Sequence, residues 1–392
     1  MLGSRRPISL CILAILTWTS IAASASLREN DALARNAARV RALEARLPMG
    51  PTKAAALSLE IAWRTPISDQ EIRSLYTSDD AVFLINSDNE ITMHDITNGK
   101  RRWSSFGGGG SDIIIDVVHI PEAKKVLVVR TNSILTLSDQ TGIPVINNAS
   151  QSSVQAFDWL ATTRGVLHGN SYIYGGLGGE IVWQGWDVGF SVKAHRLGLR
   201  VDNPPIIASS MVIAASRSGI VMALDASNGE AKWNQQLLGS MGGSPATGGG
   251  KVFISSHDQH LRSFDLKDGR LKWARLFDSP LTSGPALIDE TIYQQVPGTG
   301  LVAMEANADN APSGIIKWKA SDVDGNVIGT VNGLLLVWNP ETRTLRTLSA
   351  STGGVDATAA KLKISHLDQS GSKTILLGGQ NELQCLQPAS VR

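Results

Sequence analysis

The chain has 392 residues, 42% of them hydrophobic and 18% charged, with 38 glycines and a formal net charge of +1. That composition is too apolar for intrinsic disorder. It also excludes a general electrostatic hold on nucleic acid or anionic lipid, which needs a marked excess of Lys and Arg.

In chain order, Arg5 and Arg6 precede an apolar run from Leu10 to Ala23, and Ala23-Ser24-Ala25 completes an A-x-A site. This is the layout of a secretory signal peptide cleaved after Ala25. The run is too short for a comfortable membrane span. Loss of residues 1–25 removes two arginines, so the charge goes from +1 to −1. The mature chain is expected to be periplasmic or secreted and not membrane-spanning. Cys11 lies inside the apolar run, away from a lipidation position, and Cys385 is the only other cysteine. Neither an internal disulfide nor a lipid anchor is expected.

Ser26 to Leu47 reads as a helix. Ser26-x-x-Glu29 matches a capping box, Leu33, Val40 and Leu47 recur every seven residues with Leu43 between them, and arginines occupy the other side. Pro48 and Gly50-Pro51 stop it. Two heptads are few for a coiled coil, so the segment is read as a spacer or docking helix, and a monomer is expected unless it oligomerises.

The rest of the chain is repetitive. The block Ser216–Asp225 is followed by Gly229 and Trp233, Ser256–Asp265 by Gly269 and Trp273, and Asn86–Asp95 by Gly99 and Trp103, all without gaps. Weaker copies run from Val129 to Gly142 and Ile146, from Val166 to Gly179 and Trp183, from Val296 to Trp318, and from Pro340 to Gly353 and Ala357. A last copy, Gly378–Gln387, has no tryptophan after it, whereas Leu57–Trp63 has a tryptophan with no block before it. Counted this way, the tryptophan slot falls at 63, 103, 146, 183, 233, 273, 318 and 357, at intervals of 37 to 50 residues. A period near 40 with alternating strands predicts an all-β, eight-bladed β-propeller of four-stranded blades. The N-terminal strand is expected to complete the last blade, which removes exposed sheet edges. The expected division is a signal peptide over 1–25, a helical segment and linker over 26–51, and the propeller over 52–392.

Each slot has a physical reason. Asp95, Asp225 and Asp265 can accept from the amides of the next turn, and Gly99, Gly229 and Gly269 can take positive φ there. Trp103, Trp233 and Trp273 fill space between blades. Pro205, Pro245 and Pro285 recur where innermost strands begin. The strings Ala223–Trp233 and Phe264–Trp273 resemble the PQQ-type repeat, A-x-D-x-x-x-G-x-x-x-W, over nearly all of residues 57–387.

That resemblance carries two functional expectations. Quinoprotein dehydrogenases of this shape hold pyrroloquinoline quinone and calcium on the ring axis, commonly beside a vicinal Cys-Cys pair. This chain lacks such a pair, and no cofactor, metal or catalytic residue is expected. His257-x-x-His260 is a weak metal pattern, and the glycine runs at 107–110 and 248–250 lack the helix and Lys-Ser of a phosphate cradle. The other expectation is a non-catalytic scaffold. The stretch Leu197–Pro205, L-G-L-R-V-D-N-P-P, resembles a loop of the BamB-type outer-membrane assembly factors. By that resemblance Leu197, Leu199 and Arg200 would contact a protein partner, an outer-membrane barrel-assembly component. A carbohydrate- or polymer-binding ring using Trp159, Trp186 or Trp338 is a third reading.

Overall fold

A computed structural model describes residues 29–67, 70–147 and 151–390; the proposed signal peptide and Ser26 lie outside them. Eight four-stranded antiparallel sheets follow one another along the chain. Blades 1 to 7 span 72–106, 114–156, 166–196, 206–236, 246–276, 286–320 and 326–359. Blade 8 is built from three strands over 364–388 and closed by β1 (Leu59–Pro66), which pairs with β32 (Glu382–Pro388), Leu59 opposite Pro388 and Pro66 opposite Glu382. The expected ring with terminal strand closure is what forms.

The core is divided among the seams. Strand β3 (Ala81–Asn86) shows why. Its side chains alternate sides, so Ala81, Phe83 and Ile85 pack toward blade 2, while Val82 and Leu84 pack toward blade 8. Both sets are buried, and the strand reads as a continuous apolar run. Every other seam has a cluster of the same kind.

The repeated tryptophan and glycine belong to one joint. Trp233 donates Nε1–H to the carbonyl of Leu266 in the next blade at 2.8 Å, and Trp103 does the same to Asp139 at 2.7 Å. The indole lies over the next blade's turn, and a Cβ on Gly269 would come within 2.6 Å of Trp233 Cδ2. Gly269 therefore answers two demands, a φ of +72° and the indole against its Cα. The aspartates cap their own turns as expected: Asp95 accepts from the Thr97 amide at 2.8 Å and Asp265 from that of Lys267 at 2.9 Å. Each also meets a basic residue just before the next tryptophan, Arg102 at 2.8 Å and Lys272 at 3.2 Å. Burial works against ionisation of Asp95, but the Thr97 hydroxyl, Arg102 and the Thr97 amide hold it at about 2.

Two slots require correction. In blade 3, Trp183 lies on the third strand, Glu180–Gly185, paired with Lys193, and it is Lys193 that occupies the slot. The true step from 193 to 233 is 40 residues, and the long interval moves to the preceding step, 47 residues from 146 to 193. Trp183 still reaches the usual acceptor, donating to Ala226 O at 2.8 Å from the neighbouring strand. In blade 2, Ile146 is exposed. The outer strand turns away there, with Asn147 bridged to Ser152, and resumes as Val154–Ala156. Gln155 replaces the missing indole, donating Nε2–H to Trp186 O at 2.8 Å.

The segment before the ring forms helix α1 over 29–46. Its heptad stripe is split by the structure: Leu33 is exposed, whereas Leu47 and Met49 are fully buried, Met49 at the seam of blades 7 and 8. Gln384, also buried, clasps Met49 through both its amide and its carbonyl, at 3.1 and 2.8 Å. Arg46 pairs with the buried Glu382 at 2.5 Å. A short helix α2 (Pro51–Ala56) then leads into β1. Ring packing thus begins at Leu47, ahead of residue 52.

Candidate functional site

The loops that lead into blades 3, 4 and 5 lie against the hairpin turn between the second and third strands of that blade, with a backbone hydrogen bond joining the two. Leu177 N donates to Leu160 O at 2.9 Å, Arg217 N to Arg200 O at 2.8 Å, and His257 N to Ser240 O at 2.9 Å. In the loop after blade 3, Leu197 and Val201 are buried in the seam and their amides donate to Gly179 O and Gly176 O. Residues 198–200, tethered at both ends, bow outward, helped by a φ of +105° at Gly198. Leu199 is left 58% exposed.

Of the expected contact set, Leu197 turns inward. It is 1% exposed and belongs to the seam, because the anchoring hydrogen bond draws it inward. Leu199 and Arg200 remain on the surface. Asp202 holds Arg200 Nε at 2.9 Å and Arg217 Nε at 2.5 Å, so one carboxylate fixes two guanidinium groups and a net positive charge remains. Sequence matching passed over Arg217, which is remote in the chain and joined to the loop only by the register of the hairpin.

The next loop repeats the device. Leu237 and Met241 are buried and Leu238 between them is 89% exposed. Ser240 Oγ and His257 Nδ1 lie 2.9 Å apart. Between the two loops opens a cleft of about 610 Å³ lined by Asp202, Asn203, Arg217, Ser240, Met241 and His257. On the other side Leu160 and Leu177 are both half exposed. The loops after blades 5, 6 and 7 keep the buried anchors Leu281, Val323 and Leu362 but, among the described residues, present no exposed large apolar side chain. The face is therefore asymmetric: the exposed leucines lie over blades 2 to 5, and Phe106 and Ile113 are exposed at the ends of the loop after blade 1.

The other candidates separate. His257 meets Ser240, while His260 Nδ1 faces the carbonyl of its neighbour Asp258 at 2.9 Å. No group of three or more His, Cys, Asp or Glu among the described residues could hold a metal ion. The repeat aspartates stand one to a blade, each committed to its own turn, and do not converge as calcium ligands. Trp186 is buried with Lys125 over its ring, and Trp159 and Trp338 pack partly buried against seam clusters, so the three form no stacking platform.

The family model described as outer membrane protein assembly factor BamB matches residues 172–310. The resemblance is to BamB. The matched stretch runs from the second strand of blade 3 into blade 6 and includes the cleft and both bowed loops. BamB from Moraxella catarrhalis superimposes with a TM-score of 0.67 at 15% identity, over 85% of this chain and 99% of that one. The computationally designed Ika8 protein superimposes with a TM-score of 0.64 at 12% identity, over 83% of this chain and 99% of its own. At such identities the likeness is one of fold, since a propeller serves many functions. No curated protein matches the sequence. No helix among the described residues is long and apolar enough to cross a membrane.

Proposed function

We propose that this protein is a non-catalytic scaffold of the cell envelope that presents the loop face of blades 3 to 5 to a protein partner, an outer-membrane assembly component. The observation that carries the proposal is the pair of bowed loops. Exposed Leu199 and Leu238 flank a clamped Arg200–Asp202–Arg217 group, and each loop is pinned to a rigid seam by buried residues on both sides. Aliphatic anchors beside arginine on a rigid support suit a small protein-binding hot spot, because little side-chain or loop freedom is lost on docking. The BamB-like fold and the family match over this region support the same reading.

Photo-crosslinking tests it. A crosslinking amino acid at position 199 or 238 is expected to capture the same outer-membrane assembly protein, and one at Asp322 on the opposite side of the face is not. A Leu199→Ala, Arg200→Ala, Leu238→Ala triple variant should fold normally and lose that adduct. Equal capture from all three positions would refute the assignment.

A further inference from the structure

One backbone contact recurs where a loop meets the hairpin turn of the blade it enters. Thr131 N donates to Ile113 O at 3.0 Å, Leu177 N to Leu160 O at 2.9 Å, and Arg217 N to Arg200 O at 2.8 Å. These three contacts are themselves linked. Ala161 N, next to Leu160, donates to Thr131 O at 2.7 Å. Val201 N, next to Arg200, donates at 3.2 Å to the carbonyl of Gly176, next to Leu177. A line of backbone thus crosses the loop face without a break from blade 2 through blade 3 to blade 4.

The side chains along this line change character in order. Ile113, Leu160 and Leu177 are each about half exposed or more. Their backbone is pinned, so docking against them orders little that was free. Asp112, beside Ile113, is paired with Arg130 at 3.5 Å. At blade 4 the line turns basic, because Arg200 and Arg217 share the single carboxylate of Asp202 and one positive charge remains. The equivalent contacts on either side are polar: Ser87 N meets Glu71 O in blade 1, and His257 N meets Ser240 O in blade 5. The aliphatic row therefore begins at blade 2 and ends on the arginines of blade 4.

Such a row is complemented by aliphatic side chains with a carboxylate at one end, which can accept from the guanidinium N–H groups that Asp202 leaves free. Resting on the partner-binding reading above, we propose that a single amphipathic segment of the partner lies along this line. Its aliphatic residues sit on Ile113, Leu160 and Leu177, and an Asp or Glu sits on Arg200 and Arg217. Burial of the aliphatic side chains supplies affinity, and the charge at one end fixes direction and register. The docking face thereby extends to blade 2.

Photo-crosslinking amino acids placed singly at positions 113, 177 and 199 of the full chain test it. All three are expected to capture the same protein, and mass spectrometry of the adducts should place the three sites within one segment of it. A Leu160→Asp, Leu177→Asp double variant should lower the adduct from position 199 at least about tenfold. Its melting temperature should stay in place, since both side chains are at the surface. Arg217→Glu should lower that adduct by a similar factor, and Lys in place of the nearest Asp or Glu of the captured segment should restore it. An adduct at 199 with none at 113 or 177, sites scattered over separate parts of the partner, an undiminished adduct in the double variant, or no restoration by the charge swap would each overturn this inference and leave the loop assignment standing. Absence of an adduct at 199 would remove both.

Discussion

Replacing Arg46 by alanine tests how the N-terminal segment is held. Glu382 is 2% exposed and pairs with Arg46 at 2.5 Å, while Arg64 stands farther off at 3.8 Å. Its second oxygen, Oε2, has no hydrogen-bond partner among the described residues. Removing one partner of a buried pair costs ~3–5 kcal/mol, because the remaining charge is left desolvated. Arg46 is itself 44% exposed, so solvent already screens the pair, and Arg64 remains; the expected loss falls to ~2 kcal/mol. Glu382→Gln removes the stranded charge, and in that background Arg46→Ala should cost only ~0.5 kcal/mol. Urea unfolding of the four proteins, followed by tryptophan fluorescence, gives the coupling directly. If Arg46→Ala costs the same with Glu382 and with Gln, the ion pair does not hold the junction, and the burial of Leu47 and Met49 carries it together with the Gln384 clasp.

Gly269→Ala places a methyl at positive φ and against the Trp233 indole, and should lower stability by ~2–3 kcal/mol in the same assay. Trp183→Ala should cost ~3–5 kcal/mol, and adding Lys193→Trp should recover much of it by restoring an indole to the slot; no recovery would mean that Trp183 packs for another reason. Asp95 and Asp258 are both held at about 2. For a carboxylate whose folded pKa is depressed, the stabilisation is complete above the ordinary value near 4 and is lost as pH falls through the folded value. Thermal stability should therefore drop between about pH 4 and pH 2, and Asp258→Asn should flatten part of that drop.

The sequence carried the ring because its slots repeat for reasons local to each turn. An aspartate caps, a glycine takes positive φ, and a tryptophan crosses to the next blade. It misled where another residue reproduces part of the pattern. Gly179 has a φ of +88° in a hairpin turn, and Trp183 follows it by four residues, so the pair imitates the Gly–Trp spacing ten residues early. Trp183 even takes the hydrogen bond of the slot, a substitution in space that no alignment of blocks displays. The contact loop was legible as a loop, but which of its leucines faces water depends on amide bonds to Gly176 and Gly179. Those are set by strand pairing rather than by residue type.

The way the chain ends meet also sets a path for mechanical load. Because Leu59 lies opposite Pro388, a force pulling the two termini apart would peel β1 from β32 one hydrogen bond at a time, the weakest direction for an antiparallel pair. The chain does not enter β1 directly, however. It is first fastened near the opposite end of β32, where Arg46 meets Glu382 and Met49 meets Gln384, and only then runs back through α2 to Leu59. Tension on the N-terminal helix is therefore borne by that junction before any of it reaches the strand pair that keeps the ring shut.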